Sequence, residues 1–239
     1  MIRARLFCLV PLLLISLSAC ATFNASDLSR ILDAGGPLDE GTIVNGLKQA
    51  LEVGSERAVG TTSAPGGFLN NARIRIPLPG ELEGVARTLR VAGMGSYVEE
   101  FEVAMNHAAE KATGEAVSVF WGAIRQMTFS DAREILGGAD DAATSFFRAR
   151  TEEELNERFA PIVNAKMAEL GYLDTYDRLI DGYAALPLTS RPEFDPRSYV
   201  TGRALDGLFV ILADEEKRIR DDPAARTTDL LRRVFSSAG

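Results

Sequence analysis

The 239-residue chain is 46% hydrophobic and 25% charged, with a formal net charge of −8. That is globular composition, long enough for one sizeable core, and an acidic surface that repels phosphate backbones, which sets nucleic acid aside as a partner. Cys8 and Cys20 are the only thiols and His107 the only imidazole; beyond Cys20 this removes disulfides, thiolate metal sites and a cysteine nucleophile, so no metal site and no cofactor is expected.

The first stretch, MIRARLFCLVPLLLISLSAC, places Arg3 and Arg5 before an apolar run from Leu6 to Leu17 and then small residues. It is a secretory signal, too short for a comfortable membrane span. Its end, Leu17-Ser18-Ala19-Cys20, resembles a bacterial lipobox. That resemblance implies cleavage before Cys20 and acylation of it with palmitate-type chains; two or more such chains give a stable anchor. Ordinary cleavage at Ala19-Cys20-Ala21 is the rival reading. Ala21 stands where an aspartate would retain a lipoprotein at the inner membrane, so the resemblance implies an outer-membrane anchor facing the periplasm. The expected organisation is a signal over residues 1–19, an acylated N-terminus, tether and short helix over 20–38, and a helical domain over 39–239.

Apolar residues at helical spacing, Ile43, Leu47, Leu51 and Ala58, predict a helix from Asp39 to Val59 that Gly60 closes. The loop GTTSAPGG leads into FLNNARIRIPLP, Phe68 to Pro79. Residues before proline are pushed out of the α region, so Ile76 and Leu78 are expected to be extended. Alternation then turns Ile74, Ile76 and Leu78 one way and Arg73 and Arg75 the other. A lone strand is not stable by itself, so this strap should lie in a groove between helices. Asn70 and Asn71 can satisfy backbone groups where the loop straightens. The strap is either a structural crossover or a place where Arg73 or Arg75 meets an anion.

Pro79 can open the next helix, with Leu82, Val85, Ala86 and Leu89 as its buried stripe and Gly93 as its stop. Ser96-x-x-Glu99 reads as a capping box for a helix carrying Val98, Phe101, Met105, Ala108 and Ala112. A helix from Glu115 to Met127 follows, and then a short one capped by Thr128 or Ser130. Asp140 is expected to start the next helix, and Thr151-x-x-Glu154 a new one at a corner, bent or restarted at Pro161. Helices over Leu173–Ala185 and Arg197–Arg220 flank the connector LPLTSRPEFDP, and Thr227 or Thr228 caps a terminal one. The expected fold is a single all-α domain of about nine or ten helices with one extended, proline-containing strap.

Four blocks, GGFLNNARIRIPLP, YVEEFEVAMNHAAEKA, DAREILGGADDAATSFFRART and ALDGLFVILADEEKRIRDDPAARTTDLLRRVF, resemble the successive blocks of the bacterial domain-of-unknown-function family 4197. The resemblance implies secreted or lipid-anchored envelope proteins with a helical domain, and it carries no catalytic residues. His107 stands where the family pattern reads MNRAAE, which argues against a general catalytic role for it.

Local chemistry offers little. His107 and Glu110 are three apart, but His107 lies opposite the apolar stripe and reads as solvated. Ser118 lacks a G-x-S-x-G elbow. In the last long helix, Leu205, Leu208, Leu212 and Ile219 form a stripe with Glu215 in its middle and Glu216 at its edge. A carboxylate there needs a partner or a proton. Arg150, Arg125 and Arg75, in that order, are the expected guanidiniums, either in a buried ion pair or in a binding pocket. The sequence as a whole reads as a lipid-anchored envelope protein, membrane-bound through its acyl chains. Its domain is a non-enzymatic adaptor or small-ligand binder for an envelope protein or small molecule. A carboxylate-based hydrolase or lyase, or a structural scaffold, is the alternative.

Overall fold

Asp39 opens the first helix by accepting a hydrogen bond from the Thr42 backbone N–H at 2.9 Å. In the computed structural model, which describes residues 39–169, 171–185 and 190–222, this helix is α1, Glu40–Ser63. It runs through Gly60, the expected stop. Ala58, Val59 and Thr62 beside it are buried, and that contact outweighs the small cost of a helical glycine.

A single 3-10 turn, Gly80–Leu82, leads into α2, Glu83–Val91. Gly93, at φ +77°, stops it in the left-handed region, as expected. Helix α3, Gly95–Thr113, begins one residue before Ser96 and has no side-chain cap, so the box expected at Ser96-x-x-Glu99 is not formed. Helices α4, Ala116–Gln126, and α5, Phe129–Leu136, follow. The cap of α5 is a reciprocal box between Thr128 and Asp131.

Helix α6, Ala142–Glu169, corrects the sequence reading most. The corner expected at Thr151 does not exist: its hydroxyl donates back to the Phe147 carbonyl at 2.7 Å, inside one continuous helix. Pro161 breaks nothing either. It faces solvent, as does Glu157, whose carbonyl it leaves without a donor. Phe147, Thr151, Leu155, Phe159, Val163 and Met167 are all buried and recur every four residues. At 3.6 residues per turn such a stripe drifts by about 40° per step. It winds round the helix, so α6 meets different neighbours along its length.

Helix α7, Tyr172–Ala184, and helix α8, Pro196–Asp221, complete the described residues. Asp195 caps α8 through the N–H groups of Arg197 and Ser198, with Pro196 as the first helical residue. The described residues thus hold eight α-helices and one 3-10 turn, with no strand; the short helix expected within residues 20–38 and the one after Thr227 lie outside them. Helix α8 packs on α1, α3 and α6, α3 packs on α1 and α6 as well, α4 fills the space against α1 and α6, and α2 lies on α3 and α7. One apolar cluster runs through all of these, centred on Phe120, Phe147 and Phe209.

Candidate functional site

The strap and helix α3 form the most heavily built polar feature. Glu102, Asn106 and Glu110 lie four residues apart along α3, so they share one face. Each takes hydrogen bonds from the strap. Glu110 Oε1 accepts from the backbone N–H groups of Phe68 and Leu69, at 3.1 and 3.2 Å. Asn106 Oδ1 accepts from Ile76 N–H at 2.9 Å, and its Nδ2 donates to the Ile76 carbonyl at 2.9 Å. Glu102 Oε1 accepts from Leu78 N–H at 3.0 Å. A segment that lies in a helical bundle has no sheet to pair with, and buried backbone groups must find partners. Here a ladder of side chains does what a neighbouring strand would do. Tyr199 of α8 closes the far side by donating to the Pro77 carbonyl.

Phe68, Ile74 and Ile76 are buried, while Arg73 and Arg75 are exposed, which is the expected alternation. The first half is a turn rather than a straight run: the N–H groups of Ile74 and Arg75 both bond the Asn71 carbonyl. Asn71 Oδ1 accepts from Arg73 N–H, as an Asx turn does. Asn70 N–H bonds the Gly66 carbonyl. Both strap arginines face carboxylates, Arg73 on Asp214 of α8 and Arg75 on Glu102 at 3.4 Å. Gly207 of α8 lets the strap lie flush, since a Cβ there would stand 2.5 Å from the Phe68 ring.

Glu216 does the corresponding work at the other end of α8. Its Oε1 accepts from Ala143 N–H at 2.9 Å and its Oε2 from Thr144 N–H at 2.8 Å. These are orphan donors of the first turn of α6, where a carboxylate also meets the positive end of the helix dipole. The cap expected from Asp140 therefore comes from a helix more than seventy residues further on. Arg220 bonds Glu216 and reaches the Ile135 carbonyl at 2.8 Å, tying the end of α5 into the same knot.

Glu215 is buried, as its wheel position requires. Its partner is none of the three expected arginines. Arg218, one turn on in the same helix, holds Oε1 at 3.0 Å, and Oε2 is buried without a hydrogen bond. Arg150 instead pairs with Asp131 at 3.2 Å and lies over the Phe146 ring. Arg125 is exposed on α4, and Arg75 is taken by Glu102. The wheel found the burial but not the partner, because a long arginine three positions away snorkels back over its own helix.

His107 is 41% exposed, and its Nδ1 lies 2.9 Å from Glu110 Oε2. Ser118 is exposed and bonds the Glu115 carbonyl. Cys20 lies outside the described residues. Two apolar crevices open onto the core. One is lined by Leu47, Leu51, Phe147 and Leu212 beside Glu216, the other by Leu82, Val85, Phe101, Tyr172 and Tyr176. Their open volumes are about 30 and 40 Å³, enough for one or two waters and too little for a metabolite. Among the described residues no group of three histidine, cysteine, aspartate or glutamate side chains is placed to hold a metal ion.

The model for proteins of unknown function, DUF4197, matches residues 37–236. The chain belongs to the DUF4197 family. Its match covers the strap, the α3 ladder and the Glu216 cap together, so the polar framework described above falls within the DUF4197 domain. No curated protein and no solved structure matches the chain.

Proposed function

We propose that this DUF4197 chain is a lipid-anchored envelope protein, held through acylated Cys20 at the periplasmic face of the outer membrane, whose helical domain works as a non-enzymatic adaptor. The observation that carries this reading is the use made of the buried carboxylates. Glu110 and Glu216 each accept two backbone N–H groups, an arrangement that fixes structure. The crevice beside Glu216, about 30 Å³, is too small for a substrate. Meanwhile Val91, Tyr97, Trp121 and Phe129 are exposed, and a partner protein would meet the domain at apolar side chains such as these.

The test is purification of the protein from membranes, with intact-mass analysis and identification of what accompanies it. The reading expects a chain that begins at an acylated Cys20, is released from membranes by Cys20→Ser, and retains a protein partner. An unmodified chain beginning beyond Cys20, or a tightly held small molecule with no protein partner, would sink it.

One observation favours a second reading, a carboxylate-based hydrolase or lyase. Glu215 Oε2 is buried and carries no hydrogen bond, with Arg218 fixed on the other oxygen. In that case Glu215→Gln should abolish a hydrolytic or lyase activity while leaving the domain folded.

A further inference from the structure

We propose that the groove on the outer flank of α2 binds the phosphate headgroup of an anionic lipid, with Arg87 and Arg90 as its cationic ligands. Most exposed arginines here face a carboxylate: Arg73 on Asp214, Arg133 on Glu40, Arg158 on Glu154, Arg191 on Asp181. Among the described residues the side chains of Arg87 and Arg90 make no hydrogen bond and no ion pair. They stand three apart on one side of the helix. Both line an open groove of about 500 Å³ with Leu78, Glu83 and Val91. Two guanidiniums against the single Glu83 carboxylate leave that groove positive on an otherwise acidic protein. Guanidinium is the side chain best matched to phosphate, since its planar fork offers paired donors.

The apolar surroundings select the source of the phosphate. Val91 closes the groove at 86% exposure, and Tyr97, beyond the Gly93 turn, is 44% exposed. A free phosphate would use the arginines and leave both in water. A headgroup in a bilayer uses everything: arginine at the phosphate level, valine below it, and tyrosine in the interface where amphipathic rings settle. Leu78 also lines the neighbouring crevice of Leu82, Val85 and Tyr97, so the groove continues into apolar surface. The site requires no acylation at Cys20, so its failure would leave the anchor unaffected.

The experiment uses the chain from Ala21 to Gly239, which lacks Cys20 and keeps the compact unit Leu38–Gly239 whole. Flotation is measured with phosphatidylcholine vesicles, with and without phosphatidylglycerol. The wild-type chain should float with the anionic vesicles and stay behind with the neutral ones. Replacing both arginines, Arg87→Gln with Arg90→Gln, should weaken partitioning by about 30-fold, as expected for two basic residues at an anionic surface. Its unfolding midpoint should not move, because neither arginine holds the fold. Val91→Asp should also release the chain, and Arg125→Gln should not. Equal flotation with both vesicles, no flotation with either, or wild-type behaviour of the double variant would overturn the proposal.

Discussion

Asn106 and Ile76 exchange two hydrogen bonds of 2.9 Å, the amide oxygen accepting from the backbone N–H and the amide nitrogen donating to the carbonyl. A side chain on a helix thereby reproduces the reciprocal pairing of two opposed strand residues. Both partners are fully buried, so neither Ile76 group has water to fall back on. Asn106→Leu should destabilise the domain by roughly 1–3 kcal/mol for each stranded backbone group. Denaturant unfolding checks this, and a loss below about 0.5 kcal/mol, the range of an ordinary surface change, would show that the strap finds other partners.

Glu216 and Arg220 are a second case, with side chains 7% and 15% exposed. Removing the carboxylate leaves two N–H groups of α6 without their acceptor and takes from Arg220 its buried counter-charge. Glu216→Ala should cost about 3–5 kcal/mol, as breaking buried pairs does. Glu216→Gln, which keeps one acceptor, should cost clearly less. Equal losses in the two variants would mean that packing, not the cap, is what Glu216 supplies.

Gly207 sets the distance between α8 and the strap. An added Cβ would stand 2.5 Å from the Phe68 ring and 3.2 Å from Ile74 Cβ. Gly207→Ala should cost roughly 1–3 kcal/mol through overpacking, against the slight gain alanine usually brings to a helix interior. The same change at Gly202, with open space around its Cβ position, should be neutral or stabilising. Thermal unfolding of the two variants separates packing from helix propensity.

Asp131 gives the stability a pH dependence. Its carboxyl lies below the ordinary value of 3.8, chiefly because Thr128 N–H donates to it, then through the Thr128 hydroxyl and the Arg150 charge. A group depressed in the folded state stabilises above its unfolded value and loses that contribution as pH falls through the folded one. Asp131→Asn should therefore be less stable than wild type at neutral pH. The difference should shrink as pH drops below about 4, near the unfolded aspartate value. Unfolding at a series of pH values checks this, and a constant difference would contradict it.

How much of this was legible in the sequence follows the range of each interaction. Local signals worked: the helix expected from Asp39 begins there, Thr128 caps α5, and Gly93 takes the positive φ that ends α2. The prolines of the strap and its alternating isoleucines gave the burial of Ile74 and Ile76. Local signals also misled, since Thr151-x-x-Glu154 has the form of a capping box but lies inside a helix whose buried stripe is continuous. What stayed hidden was long-range. Glu216 caps a helix that begins 74 positions earlier, and nothing near Asp140 points to it. The α3 ladder did leave a trace: Glu102, Asn106 and Glu110 at four-residue spacing, on a helix otherwise lined with alanine, next to a strap whose backbone needed acceptors. Reading those two needs together would have found it.

The claim on which the account rests is that Glu102, Asn106 and Glu110 of α3 brace the strap. Amide hydrogen exchange of the wild-type chain tests it most directly. Phe68, Ile76 and Leu78 sit in a segment without helix or sheet, where amides ordinarily exchange fast. If Glu110, Asn106 and Glu102 hold them, Ile76 and Phe68 should exchange as slowly as amides in the middle of α3, opening only with the whole domain. Exchange of these amides at the rate of an exposed loop, with α3 still protected, would show that the ladder does not brace the strap and would return its polar side chains to the list of groups free to act on a ligand.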